Sequence, residues 1–323
     1  MHTRMSLEKI CRQEQYLFYQ SNQRILCGGN IDPLDNKILQ ILFLNARATN
    51  REIAESIDLS VSAVHKRIKA LEEDKIITRY IARPSILAIN SIPMVMIGRT
   101  KVAIDEALSE LGAHDCIFGI SVASGNILYI SIMLRNISEL QQITTFVTST
   151  ADLEDPIIGI VHEQYQENPV QLSEYELKII KSLNQDARKS LNAVADEIGS
   201  SVKTVKKNLD TMIKEQKVNF TIQWAPLYRE SFVSVLHITT SQEMDVNIHI
   251  RQLYKKYDSN MIVCVAFANV PNFILLELWT QTPRESQQIV NDLQVIYPEV
   301  IPHILLSIHW YPNWMDAMVQ NIT

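Results

Sequence analysis

Hydrophobic residues follow a helical period in two stretches of the chain and a strand period in two others. Between positions 34 and 71, apolar residues recur three or four positions apart, which is the spacing of a buried helix face. Positions 94–164 instead carry short runs of β-forming residues separated by two helical patterns. The same succession returns after position 169. The pattern therefore predicts two similar halves, each with a helical front part and a mixed α/β rear part.

The two halves are copies of one unit. A shift of 141 positions brings them into register without a gap and carries Leu39 onto Ile180 and Lys66 onto Lys207. The matched positions of the first copy are Leu39, Ala46, Arg47, Ile53, Ala54, Ile57, Val61, Val64, Lys66, Ile68 and Leu71. A fixed spacing kept over about 40 residues is typical of an internal repeat. We expect front domains at 31–90 and 169–228, rear domains at 91–168 and 229–323, and an N-terminal extension at 1–30.

Each front domain is predicted to be a winged helix-turn-helix. In the first copy Asp32-Pro33 starts one helix, Thr49 caps a second and Ser60 caps a third, since these side chains accept hydrogen bonds from the free N–H groups of a helix start. After Asp74-Lys75, the alternating segment 76–82 predicts a wing strand. Two short helices joined by a tight turn present the second of them to the major groove of DNA.

The outward face of the third helix is polar and basic in both copies. In the first copy it carries no acid before Glu72, so it suits contact with phosphates and base edges. The residues expected to contact DNA are Ser60, Ser62, His65, Lys66, Arg67 and Lys69 on this helix, Arg79 and Arg83 on its wing, and Lys203, Thr204, Lys206 and Lys207 in the second copy. Asp210 replaces Lys69 in the second copy. We expect the copies to differ in base preference, or one to recognise sequence while the other only grips DNA.

Each rear domain follows the element order β-α-β-β-α-β, which is that of the ferredoxin-like fold. In the first, strands are expected at 94–99, 116–122, 127–134 and 157–164, with helices at 102–111 and 139–147. In the second, strands are expected at 232–239, 261–267, 273–280 and 303–310, with helices at 246–257 and 284–296. Both helices of such a unit lie on one sheet face, so another sheet or a ligand must cover the other face. The predicted fold class is α+β, with two winged helix-turn-helix domains alternating with two ferredoxin-like sensor domains.

Several motifs of the first half resemble the Lrp/AsnC (feast/famine) family of prokaryotic transcription regulators. The matching residues are Leu34-Asp35, Ile38-Leu39, Ala46-Arg47, Glu52-Ile53-Ala54, Leu59-Ser60, Ser62, Val64, Arg67-Ile68, Leu71-Glu72, Ile76-Ile77 and Tyr80. The stretch 121–126 is similar to the family's glycine-containing turn between sensor strands. The resemblance covers residues 31–164 well and residues 172–310 more faintly.

The resemblance implies sequence-specific binding of double-stranded DNA and sensor domains paired through their sheets. It also implies a small effector, commonly an amino acid, held between sensor units, with Ser124, Gly125 and Asn126 as the expected effector-binding residues. The chain departs from the family pattern because it is a fused duplication and because positions 269–272 replace the glycine turn in the second sensor. A fused pair can act as the family's dimer, so that one chain presents both DNA-binding domains.

Charge is segregated along the chain. The net charge is -6 at pH 7, but residues 31–84 and 172–226 sum to +1 and +2, whereas residues 91–165 and 227–323 sum to -6 and -4. The local field near the front domains is the one that a phosphate backbone meets. The segregation therefore agrees with DNA binding despite the negative total.

Composition favours a cytoplasmic protein. The four cysteines, Cys11, Cys27, Cys116 and Cys264, form no CxxC pair, which suits a reducing compartment and argues against a zinc ribbon. The apolar runs are too short to span a bilayer, and no cleavable signal pattern opens the chain. We expect no cofactor, no metal and no membrane partner. We expect a homo-oligomer, because open sheet faces offer apolar surface.

Two other hypotheses remain open from the sequence. Siroheme decarboxylase, a heme-pathway enzyme, has the same bipartite architecture, and its fused tandem forms resemble this domain order. His237, Glu277, His303 and His309 alternate onto the helix-free sheet face beside Trp279, where histidines can serve as acids or hold a tetrapyrrole. They can equally be interface residues with satisfied hydrogen bonds. The chain lacks GxSxG, HExxH, P-loop and GxGxxG motifs. The third hypothesis is a co-regulator whose two helix-turn-helix units do not bind DNA.

Overall fold

The computed structural model describes residues 31–161, 171–224, 232–241 and 245–321, so the expected N-terminal extension and Gln164 lie outside it. The first half contains α1 (Pro33–Leu44), α2 (Asn50–Ile57), α3 (Val61–Glu73), β1 (Ile77–Pro84), α4 (Ile86–Ile89), β2 (Ile92–Thr100), α5 (Ile104–Gly112), β3 (Ile117–Ala123), β4 (Ile127–Leu134), α6 (Leu140–Thr150) and β5 (Leu153–Ile160). The second half contains α7 (Glu174–Leu183), α8 (Leu191–Ile198), α9 (Val202–Lys214), β6 (Val218–Trp224), β7 (Phe232–Thr239), α10 (Val246–Tyr257), β8 (Met261–Ala266), β9 (Phe273–Thr280), α11 (Pro283–Gln294), β10 (Glu299–Trp310) and α12 (Trp314–Gln320).

Helices α1–α3 with β1 form head 1, and α7–α9 with β6 form head 2. The helices of head 1 begin where the sequence predicts them. Asp32 and Thr49 each complete a capping box, and the Ser60 hydroxyl accepts a hydrogen bond from the Ala63 N–H. Each such cap stabilises a helix start by about 1 kcal/mol. Short helices of this kind depend on caps and on burial of their apolar faces, because isolated helices of this length are marginal in water.

The strands of the two sensors form one continuous sheet in the order β5-β2-β4-β3-β10-β7-β9-β8. Sensor 1 contributes β2–β5 and sensor 2 contributes β7–β10, each with the 4-1-3-2 strand order of a ferredoxin-like unit. Strand β10 joins them, since its first part pairs with β7 and its last part with β3. The predicted alternation of winged helix-turn-helix and ferredoxin-like domains is confirmed.

The two sensor sheets face each other and cover each other's helix-free faces. At the edge opposite β10, Val161 bridges Phe267, and the Asn269 side chain hydrogen-bonds the backbone of Ile158 and Ile160 at 2.7 Å each. Apolar residues from both sheets form one buried layer between them, while a separate apolar core lies under the helices of each sensor. The open faces that motivated an expected homo-oligomer are therefore filled within one chain.

The wing strands β1 and β6 pair with each other. They run antiparallel, from Ile77 opposite Trp224 to Pro84 opposite Val218. The sequence predicted a separate wing on each head, whereas the structure joins the two heads through a two-stranded sheet. The heads are thereby held in one arrangement, because a ladder of backbone hydrogen bonds fixes the register of both strands.

The junction between the heads is reciprocal. The Ala46 N–H donates to the Phe220 carbonyl at 3.1 Å, and the Ala187 N–H donates to the Tyr80 carbonyl at 2.8 Å. Ala46 and Ala187 lie 141 positions apart, but Tyr80 and Phe220 lie 140 apart. A bulge near the start of β1 accounts for the extra residue. The heads are thus related by an approximate twofold axis.

The segment after β10, residues 311–321, fastens sensor 1 to the heads. Two of its side chains reach sensor 1, where the Tyr311 hydroxyl donates to the Leu108 carbonyl at 2.9 Å and Trp314 Nε1 donates to the Met133 carbonyl at 3.1 Å. Gly112 lies against the Tyr311 ring so closely that a Cβ there would overlap it. Helix α12, which the sequence analysis missed, packs onto α7 and β1.

Element bounds agree closely with prediction except at two strands. Strand β5 begins at Leu153 and β10 at Glu299, each four residues before the predicted start. Both early starts contain proline, at Pro156 and Pro302, which the sequence pattern treats as an interruption of a strand. No helix in the described part of the chain is both long and apolar enough to cross a membrane.

Candidate nucleic-acid interface

Helix α3 turns an apolar face inward and a polar face outward. Val64, Ile68 and Leu71 are buried against α1 and α2. The residues exposed on the outward face are Ser60, Ser62, His65, Lys66 and Lys69. This face combines hydroxyl, imidazole and ammonium groups, which can hydrogen-bond base edges as well as phosphates.

Few contacts occupy the polar groups on this face. Asn50 Nδ2 lies 3.3 Å from His65 Nδ1, and the Ser60 and Ser62 hydroxyls lie 3.1 Å apart. Lys69 Nζ lies 3.4 Å from Glu73, and both side chains are well exposed. Exposed pairs of this kind contribute little and are easily exchanged for another anion. Helix α3 therefore offers its side chains to a ligand in solution.

Arg67 has a structural role within head 1. Its Nη1 donates to Asp32 and to Asp35 at 2.7 Å each, which ties α3 to the start of α1. The hydrogen bond that Arg67 donates to Asp35 is the main cause that raises the pKa of Arg67. Since both acids already hold the guanidinium, Arg67 is not retained among the expected DNA contacts.

Arg83 was also expected to contact DNA, and its position in the structure contradicts this expectation. The sequence placed it on a free wing, within reach of phosphates, but it is 5% exposed and forms an ion pair with Asp316 of α12. Pairing of β1 with β6 turns this end of the wing strand inward, under the C-terminal segment. Removing one partner of a buried pair leaves a buried charge, which costs about 3–5 kcal/mol. Arg83 therefore holds the heads to the sensors and does not reach DNA.

Arg79 remains at the surface. It lies near the start of β1, is exposed, and donates from Nη1 to Gln185 Oε1 at 2.9 Å. Gln185 belongs to head 2, so this hydrogen bond crosses between the heads. One such bond leaves most donors of the guanidinium fork available.

Helix α9 of head 2 carries a denser positive charge than α3. Lys203, Thr204, Lys206 and Lys207 are all exposed, while Val205, Leu209 and Met212 face the core. Across the described residues, none of the three lysines forms an ion pair. The Thr204 hydroxyl lies 2.8 Å from that of Ser201, the N-cap. This face suits phosphates more than base edges, because lysine acts mainly as a point charge.

Two arginines at matched positions lock the heads together. Arg188 Nε donates to the Ala46 carbonyl at 2.9 Å and the guanidinium lies 4.0 Å from the centre of the Tyr80 ring. Arg47 likewise donates to the Ala187 carbonyl and lies 5.6 Å from the centre of the Phe220 ring. In the sequence, both arginines align the two copies, and Arg47 also belongs to a motif of the family resemblance, but neither predicts a contact between the heads. Their recurrence beside the helix-turn-helix in both copies was the available signal.

The turn expected to bind an effector joins the two sensors. Ser124 bonds to Ile304 twice, since its N–H donates to the Ile304 carbonyl at 2.8 Å and its Oγ accepts from the Ile304 N–H at 3.0 Å. Gly125 and Asn126 are exposed and have φ values of 78° and 60°. The left-handed backbone at Gly125 explains the glycine. The turn thus has a structural contact at Ser124 and an exposed tip.

Polar residues of sensor 2 gather between the sheets. His237 Nε2 lies 2.8 Å from the Tyr129 hydroxyl, and the His237 and His303 rings lie 4.6 Å apart. Glu277 is 7% exposed, and burial raises its pKa to about 7. Burial, followed by the neighbouring His303, lowers the pKa of His237 to about 4. The Trp279 indole N–H is buried and has no hydrogen-bond partner among the residues that the structure describes.

His309 does not join this cluster. Strand β10 bulges between Leu305 and Ser307, which shifts the alternation of its side chains by one position. Ile308 therefore packs against the layer between the sheets, and His309 Nε2 instead lies 2.9 Å from the Ser307 hydroxyl. The sequence pattern assumed a regular strand, so it placed His309 on the wrong face.

A second group of polar side chains lies at the start of β3. In the described part of the chain, His114, Asp115 and Cys116 bring their ligand atoms within 4.8 Å of one another. Asp115 already pairs with Arg135, and burial raises the pKa of the Cys116 thiol to about 12. A thiol that keeps its proton is a poor metal ligand.

Comparison with known proteins finds a winged helix-turn-helix in each half of the chain. A family described as winged helix-turn-helix DNA-binding matches residues 31–78 and again residues 172–218. Among solved structures, the siroheme decarboxylase NirDL has a TM-score of 0.53 and 12% identity, over 90% of this chain and 98% of that chain. A likeness at this identity establishes a shared fold only.

Curated relatives align with single copies of the unit. The HTH-type transcriptional regulator FL11 of Pyrococcus furiosus is 28% identical over 148 residues, which cover 44% of this chain and 98% of FL11. The HTH-type transcriptional regulator LrpA of Pyrococcus horikoshii is 30% identical over 105 residues, which cover 32% of this chain and 74% of LrpA. Taken with the two helix-turn-helix heads and the paired sensors, these matches show that the chain belongs to the Lrp/AsnC family of transcription regulators.

Proposed function

We propose that this protein is a DNA-binding transcription regulator in which one chain presents both heads to a single operator. In a twofold pair of helix-turn-helix units, the second helices enter major grooves about 34 Å apart, one helical turn of DNA. The observation that carries the proposal is the reciprocal junction between the heads. Paired wing strands and the crossed contacts of Arg47 and Arg188 hold α3 and α9 in one relation.

The two halves of the operator would differ. We infer that Ser62 and His65 of α3 contact base edges with Lys66 and Lys69 beside them, and that Ser60 contacts a phosphate. On α9, Lys203, Lys206 and Lys207 would bind phosphates, with Thr204 adding a hydrogen bond. Arg79 would add a phosphate contact from the wing. An approximate twofold with unequal faces favours an operator whose half-sites are related in spacing but not in sequence.

The proposal is tested by fluorescence anisotropy on DNA from the protein's own promoter region, with random duplex as the comparison. If about four to six phosphates are neutralised, affinity falls by two or more decades between low and moderate salt. The stoichiometry is measured on the same samples and should be one chain per operator. A flat salt response, or no retention of DNA at low salt, would remove the proposal and favour the co-regulator.

The polar cluster between the sheets supports a second candidate function. Neutral imidazoles of His237 and His303, with the buried Glu277 carboxyl, form a set that can exchange protons with a bound molecule. NirDL, which shares the fold, is a siroheme decarboxylase. An absorption spectrum of the purified protein separates the candidates, because a tetrapyrrole gives a Soret band. Absence of that band after incubation with an iron porphyrin would remove the enzyme.

Effector binding remains a proposal at the turn 124–126. The exposed tip at Gly125 and Asn126 is the accessible part, and a small molecule such as an amino acid there would act on the contact that Ser124 makes with Ile304. We place the protein in the cytoplasm, because its proposed target is DNA. We retain the domain limits of 31–90, 91–168, 169–228 and 229–323, and self-association is tested by light scattering.

A further inference from the structure

A cleft of about 160 Å³ lies where the heads meet the C-terminal segment. Four separate parts of the chain build its polar walls. The wing strands contribute Arg79 and Gln223, the loop after α7 contributes Gln185, and α12 contributes Asp316 and Gln320. The cleft therefore exists only when the head pair and the C-terminal segment are in place.

The charge of the cleft favours an anion. Arg79 and Arg83 line it together with the single acid Asp316, which leaves one positive charge in excess. Asp316 and Arg83 form a buried pair in the wall, with side chains 9% and 7% exposed. Arg79 is exposed and spends one donor on Gln185 at 2.9 Å. The remaining donors of its guanidinium can bind two oxygens of one ligand side by side.

The duplicated half provides an internal comparison. The repeat carries Asn184 and Gln185 onto Phe43 and Leu44, and the register of the wing strands carries Arg79 onto Asn219. The matching place on the other side of the junction thus has two apolar residues and an asparagine, with no cation among the three. The fold of a head therefore does not require the polar lining, which is found on one side of the junction.

We propose that this cleft is a binding site for a small oxyanion, a short-chain carboxylate or a phosphate, that Arg79 holds with the carboxamides of Gln185 and Gln320. The cleft, at about 160 Å³, has room for a small anion such as pyruvate or inorganic phosphate. The lining includes no residue of α3, of α9 or of the turn 124–126, and Arg79 is the one residue that the site shares with the proposed DNA contacts.

An oxyanion in the cleft connects the heads to the sensors. The C-terminal segment that forms one wall also bonds sensor 1, through Tyr311 to Leu108 and through Trp314 to Met133. A ligand that bridges Arg79 and Gln320 thus stabilises the attachment of the head pair to the sensor block. Binding raises the melting temperature with ligand concentration, because the ligand binds the folded chain and not the unfolded one.

The test is calorimetric titration of the full chain with pyruvate and with inorganic phosphate at matched ionic strength, paired with thermal melts. We expect saturable binding with one site per chain and a Kd of about 1 mM or tighter. Arg79→Gln weakens it at least tenfold. Arg51→Gln removes an exposed arginine of α2 that pairs with Glu55, and this matched control leaves binding unchanged.

Gln185→Leu gives a second test that keeps the fold, because it introduces the residue that the first copy carries at the matched position, Leu44. It weakens binding and leaves the melting temperature of the ligand-free protein within a few degrees of the parent. Tighter binding of pyruvate assigns the site to carboxylates, and tighter binding of phosphate assigns it to phosphates. No saturable binding of either anion, or equal affinities in Arg79→Gln and Arg51→Gln, would overturn the proposal.

Discussion

The two heads share one framework and differ on the surface that each offers to DNA. Val64, Ile68 and Leu71 of α3 are buried like Val205, Leu209 and Met212 of α9. On the outward faces, the repeat places Ser62 against Lys203, His65 against Lys206 and Lys69 against Asp210. Buried positions are constrained by packing volume, whereas most exposed substitutions change stability by less than about 0.5 kcal/mol. The duplication therefore conserved the fold and left the contact surfaces free to diverge.

The sensors show the same contrast inside the molecule. Both have the same strand order. Sensor 2 places His237, Glu277 and His303 in the layer between the sheets, whereas the main polar contribution of sensor 1 there is Tyr129. Polar groups in such a layer are expensive unless they are satisfied. The Trp279 N–H has no hydrogen-bond partner in the described part of the chain, and burial raises the pKa of Glu277. The difference between the sensors is therefore a difference in electrostatics and not in fold.

The largest expected effect is the loss of DNA affinity when the lysines of α9 are removed. Replacing Lys203, Lys206 and Lys207 together by alanine removes about three phosphate contacts, which lowers affinity on the order of a hundredfold at about 0.1 M salt. Operator and random DNA lose affinity alike, and the slope of log K against log salt falls by about three. Anisotropy titrations across salt concentrations measure both. The matched control is Lys178→Ala on α7, and an unchanged slope in the triple variant would contradict the assignment of α9 to phosphate binding.

The second effect concerns how stability depends on pH through Glu277 and the histidines of sensor 2. Burial raises the pKa of Glu277 from 4.5 to about 7, so the stability that it supports is present below pH 4.5 and is lost as the pH rises toward 7. Burial lowers the pKa of His237 from 6.5 to about 4, so its share is present above pH 6.5 and is lost as the pH falls toward 4. The two trends oppose each other in the parent protein.

Substituting Glu277 leaves the pH dependence due to the histidines, and substituting His237 leaves the one due to Glu277. Glu277→Gln should make the free energy of unfolding fall on acidification from pH 6.5 to 4.5, with His303 adding to His237. His237→Gln should make it fall as the pH rises over the same range. Over its full titration, each group should change the free energy of unfolding by on the order of 3 kcal/mol. Urea unfolding at both pH values measures the slopes, and equal slopes in the two variants would show that the cluster is open to water.

The third prediction concerns the residues of α3 that are proposed to contact base edges. Ser62→Ala or His65→Ala should reduce discrimination between operator and random duplex by about 1–3 kcal/mol for each lost base contact. Non-specific affinity should stay close to that of the parent, because Lys66 and Lys69 beside them remain to bind phosphates. Competition titrations against random DNA measure the ratio. The reverse pattern, with discrimination lost in the lysine variants instead, would exchange the roles of the heads.

The smallest effect tests the shared framework. Thr49 caps α2 of head 1 and Ser190 caps α8 of head 2, and each side chain accepts one hydrogen bond from a backbone N–H. Thr49→Ala and Ser190→Ala should each lower the free energy of unfolding by about 1 kcal/mol. Chemical denaturation measures both. Losses that differ by more than about 1 kcal/mol would mean that the two frameworks are less equivalent than their packing indicates.

Much of the candidate site could be predicted from local pattern. The caps at Thr49 and Ser60 and the inward face of α3 follow from short-range rules of helix geometry, so the exposed residues of α3 and α9 were assigned from sequence alone. Arg83 was misassigned because its environment is set by Asp316, more than 200 positions away along the chain. His309 was misplaced because a bulge reverses strand alternation and leaves no mark in the hydrophobic pattern.

By itself, the sequence determined the repeat, the alternation of front and rear domains, and the polar faces of the recognition helices. These features depend on hydrophobic period, capping residues and spacing, all of which act over a few residues. Only the tertiary structure decided that β1 pairs with β6, that the sensor sheets close on each other within one chain, and that the C-terminal segment fastens the heads. These contacts join residues distant in sequence, and backbone ladders and buried pairs form wherever the folded surfaces fit, which a local pattern does not encode.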